Sequence, residues 1–469
     1  MKQKIKQLIL ANREASILLG LFAVLQLTLI AHIWNKPLIW DTAIYWAMGK
    51  NLFSMGQIGL WENFRPPLLP VLLGSLWKIG VPPVGFTRLL ALTISFTGAA
   101  GTYYMVKDLI TKRVAYISLG ILLSTFTYFY YTNMLLTGIP ASFLVLTSVY
   151  LTAKERYLTA GLLGGLAFLT RFPAAVIGPA MVLVILYSYR DDLLAFVKNS
   201  ALYSVGFFML AGLYLAANWY YLGSVLEPFI SGIAVPASNA DVYLYGIYYF
   251  FNGVKTSPLL LALPAGIYMI VKNREEAYYQ FLSAFVFLYA FFTVFPHKEV
   301  RFLLIFLPLA SVLSAHAIDQ LLDSKYFQNI DLYDRIGKEA LFVAVAALIM
   351  VGSFGATFYD NRAVNTDAVS YYQAHSELSG TVAANDASIM AYGDFSYDPL
   401  PPLTLESAYD GARENADYVS INSCAWYCTE SIENCDSRIE DLEQDVADRY
   451  PEVYSHNGSY CSYNIYEIE

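Results

Sequence analysis

Charge is scarce in this sequence. Only 14% of its 469 residues are charged, whereas soluble domains usually carry about 25%. Hydrophobic residues make up 57% of the chain, and apolar runs long enough for a membrane-spanning helix recur along most of its length. The shortage of charge therefore excludes an ordinary soluble protein and predicts an all-α polytopic membrane protein.

A surplus of basic residues is also missing, and the acidic residues are unevenly distributed. Residues 360–469 include 21 acidic and 4 basic side chains, whereas the preceding part has 17 acidic and 25 basic ones. Because binding of nucleic acid requires a basic surface, this charge balance, with a net charge of −9, argues against nucleic acid as a partner. The split predicts a transmembrane domain over 1–358 and an acidic extracytoplasmic domain over 359–469.

Cysteine is absent from the first 423 residues. The four cysteines are Cys424, Cys428, Cys435 and Cys461. An even number within one soluble segment predicts disulfides on an oxidising side of the membrane. Free cytosolic thiols or a metal site are the alternatives, but the spacing fits zinc patterns poorly. The sequence does not determine the pairing, and an acceptor sequon at Asn457 is compatible with an external location.

Apolar runs predict about eleven spanning helices. They are 15–34, 85–106, 114–131, 136–153, 157–170, 173–189, 199–217, 257–271, 277–295, 302–319 and 339–357. The first run is too long for a cleaved signal peptide, whose apolar core has about 7–15 residues. The short run 157–170 could form one broken unit with 173–189. The segment 68–81, bracketed by proline pairs, is predicted to lie in or dip into the interface.

Basic residues set the predicted orientation, because Lys and Arg concentrate in short cytoplasmic loops. With a cytoplasmic N-terminus, every inner loop of this arrangement is basic. The odd number of spans then places the C-terminal domain outside the cell membrane. The outer side receives a first loop, 35–84, and a central loop, 218–256, whose tyrosines are predicted to form an aromatic belt.

The C-terminal segment has the pattern of a small α/β domain. Short β-like runs lie at 388–392, 418–421 and 460–468, and a helical stretch lies near 437–450.

Ionisable residues at the outer ends of the spans are candidates for chemistry, because charge at membrane depth is costly and usually functional. Asp41 follows the first span and begins a helix-like stretch, so it could cap that helix, act in catalysis, or do both. Arg65 and Arg171 each precede a proline-containing break. Each could extend to the interface or hold an anionic headgroup.

A denser set lies at 297–301, where His297, Lys298, Glu299 and Arg301 occur within five residues. A basic cluster outside opposes the usual topological bias, so a plain solvated turn explains it poorly. Such cations can neutralise a phosphate through charge-assisted hydrogen bonds. Glu299 among them could orient Lys298 or Arg301.

Four segments resemble the GT-C superfamily of membrane glycosyltransferases, in particular its protein O-mannosyltransferase and aminoarabinose-transferase group. Residues 40–47 resemble the acidic motif of the first outer loop, and 65–70 the Arg-Pro-Pro segment. Residues 218–228 resemble the Asn…Gly…Pro start of the central loop. Residues 297–302 are similar to the His-Lys-Glu-x-Arg-Phe motif of mannosyltransferases that act on lipid-linked glycans. The resemblance covers about 10–320, and the segments follow the family's order.

The resemblance implies transfer of a sugar, such as the hexose mannose, from a polyprenyl- or dolichyl-phosphate carrier to a hydroxyl of a protein, glycan or lipid acceptor. It implies that Asp41 is the catalytic base, supported by Tyr45, and that the reaction inverts the sugar. The donor phosphate would be held by cations of the outer face. These are Arg65, Arg171, His297, Lys298 and Arg301. No cofactor is expected, and no strong metal-ligand set is visible, so the reaction is expected to be metal-independent.

Two departures narrow this expectation. Many relatives have a second acidic residue where this chain has Thr42, which argues against a carboxylate pair there. The Trp-Trp-Asp motif of oligosaccharyltransferases is absent, which argues against transfer of a whole oligosaccharide.

A transporter or flippase of an anionic lipid or solute is the alternative function. Such proteins usually have ionisable residues near the midplane and repeated halves, neither of which is visible here. A non-catalytic receptor or scaffold that uses the acidic domain would leave the 297–301 set unexplained.

Overall fold

The structure is a computed structural model that describes residues 11–38, 40–234, 246–295, 298–324, 337–362, 368–400, 415–426, 435–458 and 460–468. The chain divides into two compact units. One comprises Met1–His32, Phe64–Pro66 and Leu90–Phe358, and the other comprises Ile33–Asn63, Pro67–Leu89 and Tyr359–Glu469. The second unit therefore combines most of the predicted first outer loop with the C-terminal segment.

Helices dominate the described residues. The α-helices are α1 (Arg13–Ile33), α2 (Trp40–Phe53), α3 (Leu68–Lys78), α4 (Pro83–Leu109), α5 (Lys112–Ser124), α6 (Phe126–Tyr131), α7 (Gly138–Ala153), α8 (Tyr157–Thr170), α9 (Ile177–Ser188), α10 (Leu193–Leu222), α11 (Glu227–Ala234), α12 (Tyr248–Thr256), α13 (Leu263–Asn273), α14 (Tyr279–Val294), α15 (Leu307–Leu322), α16 (Lys338–Arg362), α17 (Ala368–Ala374) and α18 (Cys435–Arg449). Short 3-10 helices lie at Phe172–Val176, Pro258–Ala262, Glu276–Tyr278, Val300–Ile305, His375–Glu377 and Ala387–Ala391.

Within the described residues, five helical segments are long and apolar enough to cross a membrane. They are Arg13–Ile33, Pro83–Leu109, Leu193–Leu222, Glu276–Val294 and Lys338–Asn361. Six shorter apolar helical segments accompany them, among them α3. At 1.5 Å per residue the eleven residues of α3 extend about 16 Å, roughly half of a hydrocarbon core of about 30 Å. The prediction of a polytopic helical membrane protein is confirmed.

The core of the first unit lies around α5 and α15. Every residue of α5 from Val114 to Ser124 is buried, and so is every residue of α15 from Leu307 to Asp319. The predicted run 114–131 is interrupted at Thr125, whose backbone is extended with ψ at 119°. The extended Thr125 ends α5, its hydroxyl donates a hydrogen bond of 2.7 Å to the Ile121 carbonyl, and α6 begins after it.

Glycines bring α8 and α10 into direct backbone contact. A Cβ on Gly161 would overlap the Tyr203 carbonyl oxygen, and a Cβ on Gly165 would lie 2.7 Å from the Phe207 carbonyl oxygen. Since later residues of α8 meet later residues of α10, the two helices run parallel and α9 must return the chain between them. The segments 157–170 and 173–189 therefore form separate helices that run in opposite directions.

Gly206→Ala should lower the thermal stability of the protein in detergent. A Cβ at this position would overlap the Leu158 carbonyl oxygen, and overpacking of this kind usually costs about 1–3 kcal/mol. Gly212→Ala in the same helix is the matched control, because its Cβ would meet only Phe208 Cβ at 3.8 Å. Equal melting temperatures for the two variants would contradict the close contact of α8 and α10.

The second unit pairs α2 with α3 through two glycines. A Cβ on Gly49 would lie 2.5 Å from the Gly74 nitrogen and 2.7 Å from the Pro70 carbonyl oxygen. Trp46, on the same helix, donates a buried hydrogen bond of 2.7 Å from Nε1 to the Thr87 hydroxyl of α4. These contacts hold α2 rigidly, and its residues from Thr42 to Lys50 are all buried.

The C-terminal domain contains a five-stranded sheet. Its strands are β1 (Thr381–Ala384), β2 (Ser396–Pro399), β3 (Tyr418–Asn422), β4 (Glu452–Asn457) and β5 (Ser462–Glu467), in the order β2-β1-β3-β5-β4. β1 runs parallel to β2 and β3, whereas β5 is antiparallel to β3 and β4. Val419 and Ile421 form a hydrophobic core with Val446 of α18. The hydroxyl groups of Ser420 and Tyr371, which lies in α17, share a hydrogen bond of 2.7 Å. The prediction of a small α/β domain is confirmed.

One predicted strand is wrong. Residues 388–392 do not join the sheet, because Ala387–Ala391 forms a 3-10 helix. The Asp386 carboxylate accepts a hydrogen bond from the Ser388 backbone nitrogen at 2.9 Å and thereby starts the helical turn at the end of β1. The helix is completely buried, which explains why its composition looks like that of a strand.

A disulfide joins Cys424 and Cys461, with 5.5 Å between their Cα atoms. It links the segment after β3 to the start of β5 and confirms the prediction of a disulfide in this domain. Cys428 lies outside the described residues, and Cys435 begins α18.

Candidate active site

Lys298 lies directly after α14 with its side chain almost completely buried, at 1% exposure. Its ammonium donates hydrogen bonds to the carbonyl oxygens of Phe292 at 2.6 Å and Thr293 at 2.9 Å, and also to that of Phe295. The last carbonyls of a helix lack intrahelical donors and carry the negative end of its dipole. Burial lowers the pKa of Lys298, while these acceptors favour the charged form. Lys298 is thus the cap of α14.

Arg171 lies at the break between α8 and the 3-10 helix Phe172–Val176, where its backbone is extended. Its guanidinium carbon is 4.7 Å from the ring centroid of Phe302 and 5.9 Å from that of Phe292. Nη1 donates a hydrogen bond of 3.1 Å to the Thr137 hydroxyl. Cation–π contacts favour the charged guanidinium and restrict its orientation.

Arg301 forms an ion pair with Glu299, two residues earlier in the chain. Its Nη2 donates a hydrogen bond of 2.9 Å to Glu299 Oε1, and its Nε contacts Glu299 Oε2. Glu299 thereby contacts Arg301, one of the two partners predicted for it. We call Arg171, Lys298, Glu299 and Arg301 together the charged cluster. Its net charge is positive, because three cations face one carboxylate.

Aromatic rings lie next to the charged cluster. Phe302 lies 5.4 Å from Phe292 and 6.3 Å from Phe295, measured between ring centroids. The Lys298 nitrogen lies 5.9 Å from the ring centroid of Tyr249. Tyr249 is buried, so for this tyrosine the predicted role in an interfacial belt is wrong. The contact of Tyr249 with Lys298 could not be predicted from the sequence.

An apolar cavity of about 950 Å³ is lined by residues that neighbour the charged cluster in sequence. Phe172 and Pro173, which follow Arg171, line it together with Phe295, whose ring contacts Phe302. Its wall continues along α9, α10 and α11, with lining residues that include Val176, Ala211, Leu215, Val225 and Phe229. The lining of the cavity is therefore predominantly apolar, and Arg171 directly precedes two of its lining residues, Phe172 and Pro173.

Arg65 is associated with the same cavity through its neighbour Phe64, which lines the cavity wall. The Arg65 guanidinium carbon lies 5.5 Å from the Phe64 ring centroid. Arg65 itself is half-buried.

Asp41 and Tyr45 lie in the second unit. Asp41 occupies the first turn of α2, where the positive end of the helix dipole favours a carboxylate. It is half-buried, and Tyr45, one turn later, is buried. Of the predicted site residues, the structure thus groups Arg171, Lys298, Glu299 and Arg301, whereas His297 lies outside the described residues.

Lys50 is a buried charged residue that was not predicted from the sequence to have a role. It is 2% exposed at the end of α2, and its ammonium contacts the Asp394 carboxylate at 2.9 Å. It also donates hydrogen bonds to the carbonyl oxygens of Met390 at 3.0 Å and Gly393 at 2.7 Å. Burial lowers the pKa of Lys50, and the Asp394 carboxylate opposes this effect. A lysine inside an otherwise apolar stretch was the available signal.

No group of three or more potential metal ligands among His, Cys, Asp and Glu occurs in the described part of the chain. The expected metal independence of the reaction therefore stays a prediction.

Comparison with known protein families identifies the family to which the chain belongs. A model described as the Alg9-like mannosyltransferase family matches residues 15–385. No curated protein matches the sequence.

Solved structures share the fold at low sequence identity. ArnT from Cupriavidus metallidurans bound to undecaprenyl phosphate is 13% identical, with a TM-score of 0.66, and the match covers 96% of this chain and 98% of ArnT. The oligosaccharyltransferase of Archaeoglobus fulgidus in its apo form is 14% identical, with a TM-score of 0.52 over 86% of this chain and 69% of that one. The same enzyme tethered to an acceptor peptide is 16% identical, with a TM-score of 0.53 over 96% and 74%.

Proposed function

Because the chain belongs to the Alg9-like mannosyltransferase family and is a multi-pass membrane glycosyltransferase of the GT-C superfamily, we propose that it uses a polyprenyl- or dolichyl-phosphate sugar as its donor. The transferred sugar is a hexose such as mannose, and the acceptor is a hydroxyl of a protein, glycan or lipid. The reaction takes place at the outer face of the cell membrane, with the N-terminus cytoplasmic and the C-terminal domain outside.

The observation that supports this proposal is the charged cluster together with the apolar cavity, whose lining includes Phe172 and Pro173, directly after Arg171. A polyprenyl-phosphate sugar is a long apolar chain that ends in a single phosphate. A cavity of about 950 Å³ walled by apolar side chains suits the chain, and arginines suit the phosphate because they bind it through paired N–H donors. The bound undecaprenyl phosphate of ArnT, which shares this fold, agrees with such a donor.

The cations divide into two kinds. An ammonium has three N–H donors, and that of Lys298 contacts three backbone carbonyls. We therefore assign Lys298 the role of adding positive charge and holding the end of α14. A guanidinium has five donors, so Arg171 and Arg301 can keep their protein contacts and also bind phosphate oxygens. Arg65 and His297 are proposed to assist them.

The proposed reaction is a single displacement. The Asp41 carboxylate takes the proton of the acceptor hydroxyl, whose oxygen attacks the anomeric carbon of the sugar. The bond between that carbon and the phosphate oxygen breaks, and the lipid phosphate departs with its charge stabilised by the cations. Attack from the face opposite the leaving group inverts the sugar. No metal or cofactor enters this scheme, and Tyr45 supports the position of Asp41.

Mass spectrometry of the products tests the proposal. The purified protein, in lipid nanodiscs, is supplied separately with polyprenyl-phosphate mannose, glucose and aminoarabinose, together with candidate peptide, glycan and lipid acceptors. We expect one donor to yield a product heavier by one sugar residue, with equal yield in the presence of EDTA. Movement of the carrier across vesicles without a glycosylated product would instead support the alternative of a transporter, and EDTA-sensitive transfer would contradict metal independence.

A further inference from the structure

The end of α2 is attached to the C-terminal domain through a buried lysine. The three acceptors of Lys50 are the Met390 carbonyl, the Gly393 carbonyl and the Asp394 carboxylate, all within one turn of the C-terminal domain. An ammonium that is 2% exposed is stable only when its donors are satisfied. The structure satisfies all three with atoms that belong to a segment more than 330 residues away in sequence.

Asp394 also connects to α3. Its Oδ1 accepts a hydrogen bond of 3.1 Å from Trp77 Nε1, and α3 in turn contacts α2 at Gly49 and Gly74. We call Lys50, Trp77, Asp394 and the two carbonyls the Lys50 cluster. It joins both helices of the first outer loop to the same turn.

The chain after α2 makes a further attachment next to the Lys50 cluster. The Gly59 nitrogen donates a hydrogen bond of 2.8 Å to the Phe395 carbonyl, and the Tyr397 nitrogen donates one of 3.3 Å to the Gly59 carbonyl. These bonds add Gly59 to the free edge of β2 as a parallel bridge. The C-terminal domain thus binds the end of α2 and the loop that follows it.

These contacts bear on the position of Asp41, because Asp41 and Lys50 lie on one fourteen-residue helix whose intervening residues are buried. We propose that Lys50 is a positioning residue, which fixes α2 against the C-terminal domain and thereby sets the position of the Asp41 carboxylate. This inference rests on the proposed role of Asp41. It assigns the acidic C-terminal domain a part in the reaction at the first outer loop.

Lys50→Met tests the inference, since it keeps the apolar stem and removes the donors. We expect amide hydrogen exchange to rise across 40–53 and kcat to fall about 10- to 100-fold, the effect of a displacement near 1 Å. The KM for the lipid-phosphate donor should stay nearly unchanged, because the charged cluster is untouched. Asp394→Asn, which keeps both carbonyl acceptors, should change exchange and kcat in the same direction but less.

Lys198→Met is the matched control, since Lys198 is an exposed lysine on α10, in the first unit. It should leave exchange and kcat unchanged. If Lys50→Met lowers expression, Asp394→Asn supplies the same readouts. A kcat equal to that of the unaltered protein in both variants, or a change in donor KM alone, would overturn the inference.

The two proposals fail in different ways. If Asp41→Asn retains full activity, the proposed function of Asp41 is wrong, and with it the catalytic consequence of the Lys50 cluster. If Asp41→Asn is inactive while Lys50→Met exchanges and reacts normally, only the positioning inference is wrong.

Discussion

Asp41→Asn should abolish sugar transfer while leaving the amount of folded protein in the membrane unchanged. Asparagine has nearly the same shape but cannot accept the proton of the acceptor hydroxyl, and loss of a general base usually costs about 100- to 10,000-fold in rate. The first turn of α2 tolerates asparagine, which also suits helix N-termini. Transfer of labelled sugar from a polyprenyl-phosphate donor, measured in membranes and in nanodiscs, gives the result.

Asp192→Asn is a matched control for this substitution. Asp192 caps α10, where its carboxylate accepts a hydrogen bond of 3.0 Å from the Ala195 nitrogen, and an asparagine oxygen can accept the same bond. We expect transfer to remain at the level of the unaltered protein. Binding of polyprenyl phosphate to Asp41→Asn should also be unchanged. Full transfer activity of Asp41→Asn would contradict the assignment of Asp41 as the general base.

The fold was predictable where its signal is local. A long apolar helix can be recognised from its length and composition. The bounds of α1 and α16 were predicted within a few residues. The 3-10 helix at 387–391 was not predictable, because a hydrogen bond from the Ser388 nitrogen to the Asp386 side chain starts the helical turn there. Such a bond depends on a geometry that composition does not report.

The candidate site was predictable only in part for a related reason. Arg171 and Arg301 attract notice because charge is rare in an apolar chain. Thr137, which contacts Arg171, and Tyr249, which contacts Lys298, do not, since they resemble many other residues of a membrane protein. Lys50 has its acceptors about 340 residues away, and the pairing of Cys424 with Cys461 likewise required the strand order β3-β5. Contacts across long sequence separations need the fold before they can be recognised.

Arg171→Met should lower kcat/KM for the donor about 100- to 1,000-fold, which is the usual cost of removing one preorganised group that stabilises developing negative charge. The guanidinium lies over the Phe302 ring and donates a hydrogen bond to the Thr137 hydroxyl. Arg171→Lys should recover only part of the activity, because an ammonium keeps the charge but lacks the planar pair of donors.

Two further variants separate charge from support at this position. Thr137→Val removes one hydrogen bond of 3.1 Å and keeps the guanidinium, so its loss should be several-fold at most. Arg190→Met removes an exposed arginine that pairs with Asp191 and should change nothing.

Inhibition of sugar transfer by polyprenyl phosphate supplies the decisive measurement. The inhibition should be weaker in Arg171→Met and unchanged in Asp41→Asn, because Arg171 is assigned to the departing phosphate and Asp41 to the attacking hydroxyl. Equal weakening in both variants would contradict that division.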